Sequence, residues 1–419
     1  MRRTFTAVAV LVSALVMAAG AAVAGQALQG VVSQQPVVWT PNVLDGAIAG
    51  MAVVGDIVVV GGNFTTVADA ATGSRAARRS LFAFQLGTGR MLDFAPELNG
   101  RVTAVAAGPG GTVYAAGTFT KVNGDVWPGL VQLDLATGGR VAGFTSTAGP
   151  GQIRTMTSSG AWLYAGGSFT TISGQRRAGL ARLSATAGVV DPGFDLRLAR
   201  RDGGTVKVES VAVTQDGNRL AAVGAFDTAA GMPRAQLLLA DVGGGPAAVS
   251  GWSTDAYTRK CKALYDSYLR GVDFAPDGSY LAVAATGGMA GPTLMCDSVA
   301  RFDVTGSGVH PPVWVNRTGG NTLWSVAVTD AAVYVGGHQQ WMDNPRGRKN
   351  AGPGAVPRPG IAAVDPVTGK ALAWNPTHSR GVGVEVLVTC SAGLLVGSDT
   401  DQLGRAYHGR IGLLPATGT

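Results

Sequence analysis

Gly166-Gly167-Ser168-Phe169-Thr170 ends a short β-forming run on a glycine step that continues into Phe-Thr. The same phrase stands at Gly61-Gly62-Asn63-Phe64-Thr65 and Ala116-Gly117-Thr118-Phe119-Thr120. Weaker copies occur at Val223-Gly224-Ala225-Phe226-Asp227, Thr286-Gly287-Gly288, Val335-Gly336-Gly337-His338 and Val396-Gly397-Ser398-Asp399. From Gly62 to Gly397 there are six intervals over 335 residues, a period of about 56, at the long end of what blade-like repeats use.

The third repeat shows the plan most clearly. Ile153 to Ser158 reads as a first strand, Ala161 to Phe169 as a second, Leu180 to Ser184 as a third and Val189 to Asp195 as a fourth. Turn formers separate them: Ser158-Ser159-Gly160, Ser173-Gly174-Gln175 and Thr186-Ala187-Gly188. The second repeat follows the same order through Val102 to Ala107, Thr112 to Phe119, Leu130 to Leu135 and Val141 to Phe144. A four-stranded sheet this small cannot bury both of its faces alone, so it must stack on its neighbours, and radial stacking gives a β-propeller. Small residues such as Ala104, Ala106, Ala327 and Gly383 suit first strands crowded near an axis, and Phe64, Phe119 and Phe169 suit wedges between blades.

The ends of the chain set the expected blade count. The last repeat runs from Val382 to the strand Ile411 to Leu414 and lacks a fourth strand, while residues 36 to 42 (Pro-Val-Val-Trp-Thr-Pro-Asn) resemble the fourth-strand segment Ala373-Trp374-Asn375-Pro376-Thr377. The expectation is an all-β, seven-bladed propeller of four-stranded antiparallel blades, its ring closed by the N-terminal strand, which completes the last blade and removes two exposed edges. The expected layout is a signal peptide over 1–24, a short linker over 25–35, the propeller over 36–415 and a tail over 416–419.

Gly-Gly-Ser-Phe-Thr-Thr-Ile-Ser-Gly at 166 to 174 and Leu-Ala-Arg-Leu at 180 to 183 resemble the delta-60 repeat, an uncharacterised DUF5122-type β-propeller family. The segments Tyr268 to Gly278 and Val396 to Asp401 are similar to exported actinobacterial members. The resemblance covers nearly all of the chain after its leader and implies the propeller fold. No established reaction comes with it.

Arg2 and Arg3, an apolar run from Ala7 to Ala18 and the small-residue ending Ala22-Val23-Ala24 form an export signal with cleavage expected after Ala24. No membrane span is expected after its removal. The chain has 33 Lys plus Arg against 26 Asp plus Glu, and losing Arg2 and Arg3 leaves 31 against 26, or +5. Basic clusters at Arg75/Arg78/Arg79, Arg197/Arg200/Arg201, Arg259/Lys260/Lys262 and Arg346/Arg348/Lys349 sit in turn-rich segments. They suit solvated loops or, summed over one face, an anionic envelope polymer. Nucleic acid is not an expected partner, since no reading module is present.

In a propeller, the loops after second and fourth strands emerge on one face, and the long loop from His338 to Gly360 falls there. It supplies His338, Trp341, Asp343 and Arg346 as candidate ligand-binding residues, joined by Asp399 and Asp401 from the last repeat. Aromatic faces beside orienting polar groups suit a sugar or peptide; the opposing reading is a loop folded on itself around Trp341. Cys261 and Cys296 map to the same face and are expected to form a disulfide in an oxidising exterior, leaving Cys390 an unpaired structural thiol. The four histidines (His310, His338, His378 and His408) show no zinc spacing, so neither a metal nor a cofactor is expected. Catalytic residues are likewise not assigned. A pair of acids converging from different blades, for example Asp343 with Asp399, is the one route to polysaccharide cleavage. The sequence thus points to a secreted or cell-wall-associated, non-catalytic, monomeric propeller that binds a glycan, an envelope polymer or a protein through its long-loop face. The alternative is a polysaccharide hydrolase or lyase.

Overall fold

The computed structural model describes residues 28–262, 266–288 and 293–417. The expected export signal and its expected cleavage site lie outside the described residues. Within them the chain is all-β, without a helix.

The repeats fold into successive antiparallel sheets. In chain order these are Ile48–Val54/Ile57–Gly62/Leu81–Gln85, Val102–Ala107/Thr112–Gly117/Leu130–Asp134, Ile153–Ser159/Trp162–Gly167/Leu180–Ser184, Lys207–Val213/Arg219–Ala225/Leu237–Asp241, Leu269–Phe274/Tyr280–Ala285/Ser298–Asp303, Leu323–Val328/Val333–Gly337/Ile361–Val364 and Val384–Cys390/Gly393–Ser398/Ile411–Pro415. We number them sheets one to seven. Each places its second strand between the first and the third.

Among the described residues, regular fourth strands form only in sheets four (Ala248–Val249) and five (Trp314–Arg317). In sheets one, two, three and six the fourth segment makes a single bridge, such as Leu183 to Val190 or Leu133 to Arg140. The expected strands over 189–195 and 141–144 are therefore shorter than read from the sequence. The cause is local: the Asp191 carboxylate accepts the Gly193 N–H at 2.8 Å across Pro192, which has no N–H to offer a ladder.

The glycine step has two separate jobs. A Cβ on the second glycine (Gly62, Gly117, Gly167 or Gly337) would overlap the carbonyl oxygen of Ala47, Arg101, Gln152 or Thr322, just before the first strand of the same sheet. A Cβ on the preceding position meets the next sheet instead: Gly61 faces Val102, Gly166 faces Val208 and Gly336 faces Val384. Gly397 of sheet seven faces Ile48 of sheet one in the same way. One glycine thus lets strands approach within a sheet, and the other lets sheets approach each other.

Buried apolar clusters fill the spaces between sheets. Phe119 packs with Val59, Ala83 and Val113 between sheets one and two, and Phe169 with Tyr114, Phe144 and Leu163 between sheets two and three. Phe64 packs with Ile48 and Phe82 of sheet one and with Leu395, Ile411 and Leu413 of sheet seven. The N-terminal segment lies along that last junction. Val37 N–H donates to Leu413 O at 2.9 Å, Ser33 N–H to Pro415 O at 2.8 Å, and Asn42–Val43 pair with Val67–Ala68. The Trp374 indole N–H, at the edge of sheet six, donates to Val32 O at 2.7 Å.

Cys261 and Cys296 are joined as a disulfide, with Cα atoms 5.8 Å apart. Cys390 is free and buried at the end of the first strand of sheet seven. Among the described residues no helix is long and apolar enough to cross a membrane.

Candidate functional site: a cavity framed by seven bulged strands

Every first strand slips register at the same place, between Ile48 and Gly50, Val102 and Ala104, Ile153 and Thr155, Val208 and Ser210, Leu269 and Gly271, Leu323 and Ser325, and Val384 and Val386. A bulge leaves the intervening residue unpaired and re-aims its side chain. The seven residues so placed are Ala49, Thr103, Arg154, Glu209, Arg270, Trp324 and Glu385, and all of them line one cavity of ≈ 540 Å³. Arg101, Thr118 and Gln152 complete its wall. The residue before each bulge is a fully buried aliphatic, which anchors the strand so that only the bulged side chain turns toward the open space. A second space of ≈ 230 Å³ continues along the same strands past Met51, Val105, Met156 and Leu387.

Polar links between neighbouring first strands hold this frame. Thr103 Oγ1 donates to Ile153 O at 2.6 Å, Ser325 Oγ to Val384 O at 2.9 Å, and Asp273 Oδ2 accepts Val328 N–H at 2.8 Å. Burial pushes the Asp273 carboxyl up to about 7, against the pull of the Val328 and Phe274 N–H groups.

Charge in the cavity is arranged as an arc. Glu209 sits between two cations, its Oε2 3.0 Å from Arg154 Nη1 and its Oε1 3.7 Å from Arg270 Nη1. The Arg270 guanidinium lies 5.6 Å from the Trp324 ring centroid, and the Trp324 indole N–H donates to Val382 O at 2.8 Å. Arg101 and Glu385 stand 3.9 Å apart. Burial raises the Glu385 carboxyl above its ordinary range; Arg101 opposes that shift and Asp399 adds to it. Three arginines thus face two glutamates in one concave space.

The structure separates the six residues expected to form the loop site. His338 and Asp399 stand behind the cavity wall: His338 Nδ1 is 3.3 Å from Val382 O, the oxygen that also receives the Trp324 N–H, while the Asp399 carboxylate accepts the N–H groups of Val382 and Gly383 at 2.8 and 2.9 Å. They hold the segment that leads into Glu385 and receives the Trp324 indole N–H. Burial, more than nearby Arg380, lowers the His338 pKa.

Asp343 is a strut elsewhere. Its carboxylate accepts Asn316 Nδ2 at 2.7 Å and Ala371 N–H at 3.1 Å, so it does not pair with Asp399. Trp341 is half-buried in a two-residue pairing with Val356–Pro357, and Arg346 and Asp401 are exposed. The long loop closes on buried Asn344, whose amide bonds Thr318 O, Asn350 O and Gly352 N–H. Asn344, rather than Trp341, is its organising centre. Among the described residues no three His, Cys, Asp or Glu side chains gather as a metal site.

Sequence reasoning missed the bulged positions. Its signal is a two-residue phrase at the start of each repeat, a buried aliphatic followed by a residue that varies from Ala to Trp: Ile48-Ala49, Val102-Thr103, Ile153-Arg154, Val208-Glu209, Leu269-Arg270, Leu323-Trp324 and Val384-Glu385.

Residues 162–194 match the family described as "Domain of unknown function (DUF5122) beta-propeller", which supports a propeller of that type for this chain. No curated protein matches the chain. Among solved structures it is similar to the computationally designed Ika8 protein, at 13% identity and a TM-score of 0.46, over 91% of this chain and 99% of that one.

Proposed function

We propose that this chain is an exported, non-catalytic, monomeric seven-bladed propeller, closed by its N-terminal strand, that binds an extracellular glycan in the cavity framed by its first strands. Three features support closure: the Gly397 to Ile48 approach, the apolar cluster shared by sheets seven and one, and the hydrogen bonds from Ser33 and Val37 to the last strand. They repeat at the chain's two ends what joins sheets elsewhere. The disulfide and the leader at residues 1–24 fit an oxidising, extracellular or cell-wall location.

The observation that carries the binding reading is the convergence of Arg154, Glu209, Arg270, Trp324 and Glu385 on one cavity. Saccharides are held by an aromatic face together with charged and amide groups that orient hydroxyls, and this wall supplies both. The cavity opens where first strands begin and second strands end, on the face that also carries the long loops. An envelope polymer would reach it as a chain end, and a protein as an inserted loop. A glycan and envelope-polymer array with the secreted protein tests the reading. Retention that is lost in Trp324→Ala is expected, and a blank array refutes it.

A second reading is favoured by one observation. Glu209 and Glu385 line the same cavity, so acids do converge from two sheets, though not the pair expected from sequence. Release of reducing ends from a bound polysaccharide, abolished by Glu385→Gln, would convert the binding protein into a hydrolase or lyase.

A further inference from the structure

We infer that the ligand of this cavity is an acidic saccharide whose carboxylate-bearing terminal residue enters end-on over Ala49 and Thr103; the inference rests on the glycan reading above. Five of the seven bulge positions carry large side chains and two carry small ones, Ala49 and Thr103, on neighbouring sheets. The open part of the cavity is therefore a lobe to one side, bordered by Arg101, Gln152, Arg154 and Glu385.

The cations are unequally committed. Arg154 and Arg270 share Glu209, and Arg270 also lies against the Trp324 ring. Arg101, at the mouth, meets Glu385 only at 3.9 Å and keeps 43% of its side chain exposed. With three guanidinium groups against two carboxylates, the wall is one negative charge short of balance, and the least engaged cation borders the lobe. A single ligand carboxylate restores the balance, and a guanidinium donates two parallel hydrogen bonds to it.

A neutral sugar leaves Arg101 unmatched. A polyanion brings further charge against Glu385 and Glu209. The lobe's floor is uncharged and small, since the Thr103 hydroxyl is spent on Ile153 O, which suits the face of a pyranose ring. The Gln152 amide and Glu385 are placed at its border to meet ring hydroxyls.

Titration calorimetry of the secreted protein with a trisaccharide bearing one terminal galacturonate, its methyl ester and maltotriose tests the inference. The ester keeps the stereochemistry and removes the charge. The acid is expected to bind about tenfold or more tightly than the ester, a preference that Arg101→Gln removes. Ala49→Leu, which fills the lobe, is expected to abolish binding of the acid while the melting temperature is kept. Equal affinity for acid and ester, or binding indifferent to both substitutions, overturns the inference and leaves the glycan reading standing. An array positive only for neutral glycans does the same. A blank array removes both.

Discussion

A methyl group added to Gly167 and one added to Gly397 test the two separate jobs of the glycine step. At Gly167 the new Cβ would overlap the backbone carbonyl oxygen of Gln152, which is fixed by its bond from Ser168 N–H at 2.9 Å. Backbone must move, and forced overpacking of this kind costs about 1–3 kcal/mol. At Gly397 the Cβ meets Met51 Cε at 3.1 Å, a flexible side-chain end, and Ile48 Cγ2 at 2.8 Å with Ile48 Cβ at 3.3 Å, so a side chain rather than backbone has to give. Replacing glycine in a strand also returns about 0.5–1 kcal/mol from the unfolded chain's entropy. Gly397→Ala should then lose clearly less than Gly167→Ala, which should lose about 2 kcal/mol. For a chain of this length that is roughly 4 °C in melting temperature, at about 2 °C per kcal/mol. Thermal unfolding of the two variants followed by circular dichroism, with wild type alongside, reads the difference. Equal shifts would refute the argument that one glycine serves the sheet and the other the seam.

Three further outcomes are expected. Cys261→Ser with Cys296→Ser should lower stability by about 4 kcal/mol, because the disulfide spans a sequence separation of 35, and urea midpoints of the variant and wild type measure it. Trp374→Ala removes a buried side chain and the Val32 O contact and should cost about 3–5 kcal/mol; a loss no larger than that of an exposed-site control would show that the N-terminal segment is not held there. Burial lowers the His378 pKa to about 4, so above the unfolded value of 6.5 both states are neutral, whereas between 6.5 and 4 only the unfolded chain takes up the proton and stability falls with pH. The loss approaches about 3 kcal/mol near pH 4 and should stand alone in the difference between wild type and His378→Gln, which lacks the titrating group. Taking that difference matters because Asp273 and Asp297, raised to about 7 and about 6, act in the opposite sense across the same window.

The fold was legible because its constraints are steric and repeat. Gly62, Gly167 and Gly337 each avoid a backbone oxygen at the same point of a sheet, so the same residue recurs and the period shows. Phe64, Phe119 and Phe169 recur because each fills the same space between sheets. The disulfide was legible for a different reason. Cys261 precedes the first strand of sheet five and Cys296 follows its second, and strand direction brings both to one end. Fourth strands were overread, since β-forming residues such as Val189 and Val190 make only one bridge before Asp191 and Pro192 turn the chain away.

The candidate site was not legible, and its own geometry explains why. A strand read at period two assigns Arg154 to one face of its sheet together with Met156, and nothing in that alternation announces a register slip. The bulge is set instead by what surrounds it: the buried aliphatic before it and the close approach of the neighbouring first strand, as where a Cβ on Gly50 would come within 2.9 Å of Val105 N. Those contacts join residues about one repeat apart, and Gly271 meets Val326 N of the following first strand in the same way, at 3.2 Å. Because the backbone fixes the direction of the bulged side chain, its identity is free to vary, and it runs from Ala49 and Thr103 to Arg154, Glu209, Arg270, Trp324 and Glu385. Selection for a repeat hides such a position, since a search for sameness discards it as noise. The long loop drew attention for the opposite reason, its irregular length, yet Asn344 and Asp343 use that length to fasten the loop to the residues around Asn316 and Thr318. In a repeat fold, then, the place to look for ligand chemistry is the one position whose backbone is most constant and whose side chain is least so.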